Sequence, residues 1–334
     1  MNSFALAKPR NFDEASALVG GKVYKLPILK AGGMDVIDLI KEGIEEPDLL
    51  IQLKGLSRDG AIGVSEDAMT KRITIEANTT LAQIAASEII RERAPVVAQA
   101  AESAATPQVR NVATAAGNLL QRPRCWYYRN SEFDCLKKGG DRCFAVEGEN
   151  QYHAIFGGGP CHIVHPSNLA PALAVCNAKA HLTGSNRSSI AISELFHMPD
   201  KGVFDEHILR PGEVITHITL ERRPRSGFYA IKAKRSFDWP IVFACVSLEL
   251  DGPVITQARV WAGAVAPVPW RLERVENALR GIDVRDARKL EVAALTSVED
   301  AEPMSHNSYK LKLLPVAVRR AVMRAGGIWA EGDE

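Results

Sequence analysis

The stretch at residues 106–121 carries side chains that could bind an anion. Small residues crowd positions 113–117, and the hydroxyl of Thr114 and the amide of Asn118 lie among them. Small residues allow a backbone to approach a bulky group closely, and the hydroxyl and the amide can hydrogen-bond it. The stretch therefore predicts a phosphate-binding turn.

A second reactive stretch follows directly, and its chemistry is metal ligation. It carries four cysteines within a run of little helical or strand periodicity, namely Cys125, Cys135, Cys143 and Cys161. The amino terminus has no basic region followed by an apolar core, so we expect no secretory signal, and clustered cysteines then favour metal ligands over disulfides. Their gaps of nine, seven and seventeen residues match no compact ferredoxin motif. Four thiolates suit an iron-sulfur cubane or a tetrahedral zinc ion, and both stay open at this point.

Other side chains near these stretches have two possible roles. Cys176 and Cys245 lie in apolar helix and strand patterns and are predicted to be core thiols. The side chains of residues 126–128 could shield a metal centre or simply pack, and three histidines of this region, His153, His162 and His165, are expected to pack rather than ligate. The arginines at 122, 124 and 129 could stabilise an anionic cluster or be solvated loop charges.

Composition excludes some partners. The 334 residues carry a net charge of +1 with 46% apolar and 24% charged residues, so nucleic acid and anionic membrane surfaces are poor candidates. No apolar run reaches the roughly 20 residues that span a bilayer. The length suits two or three domains.

The elements around these stretches alternate between strand and helix. We predict a strand at 25–30, a tight turn at Gly32 and Gly33, a helix capped by Asp35, and a parallel strand at 49–53. Strands at 61–64 and 72–76, a helix capped near Thr79 or Thr80, and a helix starting at 94 then lead to residue 106.

The second half is predicted to be mostly antiparallel. Ser167 is expected to cap a helix at 169–175, followed by a hairpin at 179–183 and 189–192 and a strand at 213–220. A polar linker at 221–227 leads to a self-contained unit of three strands and three helices, with strands at 228–234, 241–250 and 255–264 and helices at 271–279, 287–294 and 309–324.

Six motifs in one order are more specific than any of them alone. They lie at residues 30–35, 108–119, 165–173, 211–213, Lys232 with 235–238, and 263–271. Together they resemble the FAD-binding medium subunit of molybdenum hydroxylases, the family of the xanthine dehydrogenase, carbon monoxide dehydrogenase and aldehyde oxidoreductase complexes.

The resemblance implies an α+β fold. An FAD-binding domain of the vanillyl-alcohol-oxidase-like (PCMH) type would occupy residues 1–223, as two αβ subdomains at about 1–56 and 57–223, with a cysteine-bearing insertion at about 122–165. A carboxy-terminal domain, a three-stranded antiparallel sheet with helices, would occupy 227–330.

The resemblance also assigns cofactor contacts. The FAD site would consist of Leu29, Lys30, Ala31, Gly32, Gly33, Met34, Asp35, Thr106, Thr114, Gly117, Asn118, Leu120, Asn168, Ile215 and Lys232. Two positions depart from the family: its double glycine before Asn118 is Ala116-Gly117 here, and its flavin-binding aspartate is Asn168. Asparagine keeps an acceptor oxygen and loses the charge, so we expect an altered flavin affinity or potential.

The insertion points to one branch of the family. Medium subunits of the periplasmic aldehyde oxidoreductase type and of the hydroxybenzoyl-coenzyme A reductase type hold an additional [4Fe-4S] cluster. By this resemblance Cys125, Cys135, Cys143 and Cys161 would be its ligands, and the cluster is favoured over zinc.

The implied function is electron transfer within a complex. A large molybdopterin subunit and a small subunit with two [2Fe-2S] clusters would pass electrons to FAD in this chain and on to an external acceptor, with no catalytic residue of its own. The expected compartment is the cytoplasm, or the periplasm if a partner carries the export signal. The alternatives are a free-standing vanillyl-alcohol-type FAD oxidase and a zinc-stabilised scaffold without flavin. The substrate, the acceptor and the role of the extra cluster stay open.

Overall fold

The computed structural model describes residues 2–234 and 237–329 and builds them into three sheets with helices. Arg235 and Ser236 of one motif, and the last residues 330–334, lie outside the described part. No helix among the described residues has the length and apolar character needed to cross a membrane.

The amino-terminal unit is a small parallel sheet. Its elements are β1 (Ala5–Ala7), α1 (Phe12–Gly20), β2 (Pro27–Lys30), α2 (Val36–Lys41) and β3 (Leu49–Gln52). The strand order is β1-β3-β2, and both pairs are parallel, as predicted for the two longer strands. The sequence analysis missed β1 and α1, although Asn11 caps α1 by accepting a hydrogen bond from the Glu14 amide.

The second unit surrounds a five-stranded sheet of order β4-β5-β8-β6-β7, in which all neighbours are antiparallel. Its elements are β4 (Val64–Glu66), β5 (Ile73–Glu76), α3 (Leu81–Ala86), α4 (Glu88–Arg93), α5 (Pro95–Ser103), α6 (Pro107–Arg110), α7 (Ala115–Leu119), α8 (Trp126–Arg129), α9 (Leu169–Val175), β6 (Lys179–Thr183), β7 (Ser189–Ala191) and β8 (Val214–Leu220).

Local chemistry explains where these elements begin. Thr80 and Gln83 form a reciprocal capping box at the start of α3, and the Ser167 hydroxyl accepts from the Ala170 amide at the start of α9. Both caps were predicted. The predicted strand at 61–64 is wrong, because Ala61 makes only an isolated bridge with Arg58 and the ladder starts at Val64.

The carboxy-terminal unit is a four-stranded antiparallel sheet covered by helices. Its elements are β9 (Ser226–Lys232), β10 (Pro240–Asp251), β11 (Val254–Gly263), β12 (Trp270–Arg271), α10 (Glu273–Leu279), α11 (Ala287–Leu295) and α12 (Lys310–Ala325). The predicted sheet had three strands. The fourth is the two-residue β12, which pairs with β11 where the sequence predicted the start of a helix.

A small apolar cluster of Leu39, Tyr128 and Cys135 lies where α2 meets the cysteine insertion. Two larger apolar cores hold the rest of the described fold together. One joins the first two units and includes Phe228 and Phe243 from the third, while the other lies between the carboxy-terminal sheet and α12. The α+β architecture agrees with the sequence prediction. The boundaries at 56, 223 and 227 stay predictions.

Candidate functional site

The loop after β2 meets the start of the small-residue stretch. Gly33 has a φ of +82°, a conformation that favours glycine. A Cβ placed on Gly32 would lie 2.1 Å from the carbonyl oxygen of Val112, so the two backbones touch at this point. Only glycine permits that contact, which joins two motifs far apart in sequence.

The small-residue stretch is held by backbone hydrogen bonds. The amide of Ala115 donates to the Thr79 carbonyl, and the amide of Leu81 donates to the Ala113 carbonyl. The Thr114 hydroxyl accepts from the Gly117 amide at 3.2 Å and so begins α7. The predicted turn is thus fixed at the end of β5 with Thr114 as a helix cap.

Asn118 connects this stretch to the motif at 165–173. Its Oδ1 atom accepts from the Ser167 hydroxyl at 2.7 Å and from the Leu169 amide at 3.4 Å. Asn168 is buried beside it, and its side chain makes no hydrogen bond to any residue that the structure describes.

The remaining predicted flavin residues are spread more widely. Ile215 is buried in β8, in the same core as Leu119 and Leu169. Lys232 ends β9, its Nζ atom donates to the Ser103 carbonyl, and burial lowers its pKa. Backbone and side-chain contacts thus connect the predicted site from Gly32 through Asn118 to the motif at 165–173.

Asp35 makes contacts that the sequence analysis did not predict. It occupies the N-cap position of α2 as predicted, but its side chain makes no capping hydrogen bond to that helix. Its Oδ2 atom accepts from the Arg122 amide at 2.7 Å, and its Oδ1 atom meets the guanidinium groups of Arg124 at 2.8 Å and Arg129 at 2.7 Å. The carboxylate therefore holds the start of the cysteine insertion.

The four cysteines of the insertion line one small cavity. Residues 125, 135, 143 and 161 share it with His153 and the rings of residues 127, 128 and 144. Sequence spacing alone could not place the four thiols together. Cys176 and Cys245 are fully buried in the first core instead, as predicted.

The thiols differ in their surroundings. The hydrogen bond with Cys161 lowers the pKa of Cys143 to about 5, whereas burial raises the pKa of Cys125 to about 11. The Cys125 sulfur lies 3.2 Å from Nε2 of His153. Within the described ranges, no three His, Cys, Asp or Glu side chains are arranged as ligands of a single metal ion.

Aromatic rings enclose this cavity. Tyr127 contacts Phe133 edge-on with centroids 5.0 Å apart and stacks on Phe144 at 5.9 Å. Tyr128 is 2% exposed. Trp126 contacts Tyr152 and His153 rather than lining the cavity. The rings therefore form an apolar wall around the thiols.

The carboxy-terminal domain holds the other end of the insertion. Lys310 is 1% exposed, and its ammonium donates to the carbonyls of Tyr152, His153 and Ala264 at 3.1, 2.9 and 2.8 Å. Burial lowers the pKa of Lys310 to about 7. Asn307 adds two bonds to carbonyls of the same segment. The helical pattern of α12 gave no sign that Lys310 points inward.

This architecture is that of an FAD-binding domain followed by a carboxy-terminal flavoprotein domain. The chain matches the FAD binding domain in molybdopterin dehydrogenase over residues 2–221 and the carbon monoxide dehydrogenase flavoprotein C-terminal domain over residues 227–325. It therefore belongs to the FAD-binding medium subunits of the molybdenum hydroxylase family. The second match disfavours a free-standing oxidase of the vanillyl-alcohol type.

Relatives in two organisms support this assignment. The chain is 33% identical over 290 residues to the aldehyde oxidoreductase FAD-binding subunit PaoB of Escherichia coli K12, covering 85% of this chain and 86% of that protein. It is 25% identical to the carbon monoxide dehydrogenase medium chain of Afipia carboxidovorans, covering 97% and 96%.

Solved structures share the fold. The Cu,Mo-CO dehydrogenase superposes with a TM-score of 0.74 at 21% identity, covering 98% of this chain and 99% of that one. Quinoline 2-oxidoreductase from Pseudomonas putida 86 gives a TM-score of 0.74 at 18% identity with the same coverage.

Proposed function

We propose that this chain is the electron-transferring flavoprotein subunit of a molybdenum hydroxylase of the aldehyde oxidoreductase or xanthine dehydrogenase type. A large molybdopterin subunit and a small subunit with two [2Fe-2S] clusters would complete a heterotrimer. Electrons from the partner clusters would reach FAD here and leave to an external acceptor. The likeness to a curated aldehyde oxidoreductase subunit over most of the chain favours this type.

FAD supplies the electron exchange, and the chain supplies position and electrostatics. The observation that carries the proposal is the contact of Gly32 with Val112, because it joins the two motifs that would surround the pyrophosphate. We propose the loop at 29–35 and the residues Thr106, Thr114, Gly117, Asn118 and Leu120 as contacts. Asn168, Ile215 and Lys232 would meet the sugar-alcohol chain and the ring.

The flavin content of the purified full-length chain tests this part. We expect about one FAD per chain, released by denaturation. Substitution of Asn168→Asp, which restores the family's charge, should change the flavin potential because a carboxylate beside the cofactor disfavours added negative charge. Protein that binds no added FAD would contradict the proposal.

The cysteine cavity is proposed to hold a [4Fe-4S] cluster. Four thiolates are the ligand set of such a cluster, and aromatic rings line the same cavity. Its role, structural or on the electron path, is not part of the proposal.

Iron, sulfide and zinc analysis of anaerobically purified protein tests the cluster. We expect about four irons and four sulfides per chain, lost in Cys143→Ser. The matched control is Cys245→Ser, which removes a buried thiol far from the cavity and should keep the iron. Zinc in place of iron would contradict the proposed [4Fe-4S] cluster, and the flavoprotein proposal would not be affected.

The partners and the compartment are proposed together. If a partner carries an export signal, the assembled complex would be periplasmic, and otherwise it would be cytoplasmic. Affinity purification of the tagged chain from its native host, with separate fractions of each compartment, would identify both. Recovery as a lone, fully active dehydrogenase would contradict the subunit role.

A further inference from the structure

One carboxylate connects the predicted flavin loop to the cysteine insertion. Asp35 belongs to the same loop as Gly32 and Gly33, and all of its partners in the insertion lie within residues 122–129. The side chain of Asp35 is 18% exposed, and those of Arg124 and Arg129 are 25% and 13% exposed. Pairs this sheltered are screened by salt less than surface pairs.

The two arginines flank the first cysteine of the cavity. Cys125 lies next to Arg124, and its carbonyl accepts from the Arg129 amide at 2.9 Å to close α8. Arg129 also donates to the carbonyls of Arg122 and Pro123. The residues that contact Asp35 and the cysteine Cys125 therefore lie in the same short turn, residues 122–129.

The same turn is supported from the carboxy-terminal domain. The Arg124 guanidinium lies 4.6 Å from the centroid of the Trp239 ring. Stacking on an aromatic ring fixes the plane of the guanidinium and so its alignment with Asp35. Displacement of Cys125 would therefore disturb Asp35 and the loop that carries Gly32.

We propose that Asp35 is a positioning residue that couples FAD binding to occupancy of the cysteine site. This inference rests on the proposed function, because it needs a centre held by the four cysteines. An occupied site fixes Cys125, the turn at 122–129 and Asp35, and the loop then meets Val112 in the geometry that binds flavin. Binding energies coupled in this way act equally in both directions.

A double-mutant cycle tests the coupling in the full-length protein. FAD affinity is measured by flavin fluorescence for the wild type, Cys143→Ser, Asp35→Asn and the double variant, each first freed of flavin. Cys143 is chosen because it lies outside the turn. We expect Cys143→Ser to weaken FAD binding about tenfold in the wild-type background, within the usual range of coupling, and less than twofold in Asp35→Asn.

Two further variants keep the test decisive. Asp38→Asn is the matched control, since Asp38 meets Arg129 at 3.1 Å from an exposed position on α2, and it should leave the tenfold effect intact. If Asp35→Asn does not fold, the double variant Arg124→Gln with Arg129→Gln removes both ion pairs of Asp35 from the other side and replaces it in the cycle.

The reverse direction is measured through iron. Removal of FAD should speed the loss of iron to a chelator more in the wild type than in Asp35→Asn. An equal effect of Cys143→Ser in both backgrounds would overturn the coupling and leave the proposed function in place. A wild-type protein with FAD and no metal would overturn the coupling together with the cluster.

Discussion

A single methyl group at residue 32 should abolish tight flavin binding. In Gly32→Ala the new Cβ would lie 2.1 Å from the Val112 carbonyl oxygen and 2.9 Å from its carbonyl carbon. Both atoms belong to the backbone, so the clash cannot be relieved by rotation of a side chain. The loop at 30–35 and the stretch beginning at Val112 must therefore move apart.

The size of the displacement follows from the contact distance. Carbon and oxygen atoms approach to about 3.3 Å in close protein contacts, so the two backbones must separate by about 1.2 Å. Overpacking of this kind costs about 1–3 kcal/mol of folding stability. A shift of about 1 Å between groups that share a ligand can cost about 100-fold in function. We expect FAD affinity to fall by about that factor while the fold survives.

The assay is titration of flavin-free protein with FAD, followed by fluorescence, together with thermal unfolding. Gly43→Ala is the matched control, because its added methyl meets nothing within 4 Å and only the φ of +69° opposes it. That backbone cost is about 1–2 kcal/mol. If the Gly32→Ala protein binds FAD within threefold of the control, the proposal that the contact of Gly32 with Val112 forms the FAD site is refuted.

Three further predictions concern stability. Lys310→Met should lower the free energy of unfolding by about 3 kcal/mol, measured in urea, because the carbonyls of Tyr152 and Ala264 lose their side-chain donor and that of His153 keeps only the donor from Asn307. The Arg187 guanidinium holds the pKa of Glu213 near 2, below its ordinary 4.5, so the stability from this pair is present above pH 4.5 and lost as pH falls towards 2. Glu213→Gln should therefore melt earlier than the wild type at pH 7 and close to it at pH 2, and equal differences at both pH values would contradict this. Gly263→Ala should destabilise by at least about 1–3 kcal/mol in thermal unfolding, since its Cβ would lie 1.9 Å from the Phe243 ring.

Sequence patterns predicted most of the longer elements, with the nine-residue α1 as an exception, and missed several short ones. The strands β10 and β11 carry long apolar runs, and their positions were predicted within a few residues. A three-residue strand such as β1 contains less than two periods of alternation, so no pattern can identify it. β12 is shorter still, and it is a strand only because its two residues pair with β11.

The candidate site was predictable where residue type decides the chemistry. Four thiols and a glycine-rich loop carry their own signals, and the family resemblance supplied the rest. The contact of Gly32 with Val112 depends on tertiary packing of residues eighty positions apart, which no local pattern encodes. The arginines at 122, 124 and 129 were expected to stabilise a cluster or to be solvated, yet they are partly buried and paired with acidic side chains.

Polar contacts with the other two units, together with apolar clusters that it shares with them, determine how the insertion folds. A loop with little secondary structure leaves many backbone groups that need hydrogen-bond partners. Lys310 and Asn307 supply donors for carbonyls at 152–154, and Asp35 supplies an acceptor for the Arg122 amide. These partners come from the carboxy-terminal domain and from the amino-terminal unit. The four thiols should therefore come together only when the amino-terminal unit and the carboxy-terminal domain are both folded. A metal centre held by the thiols would then indicate that the whole chain has folded.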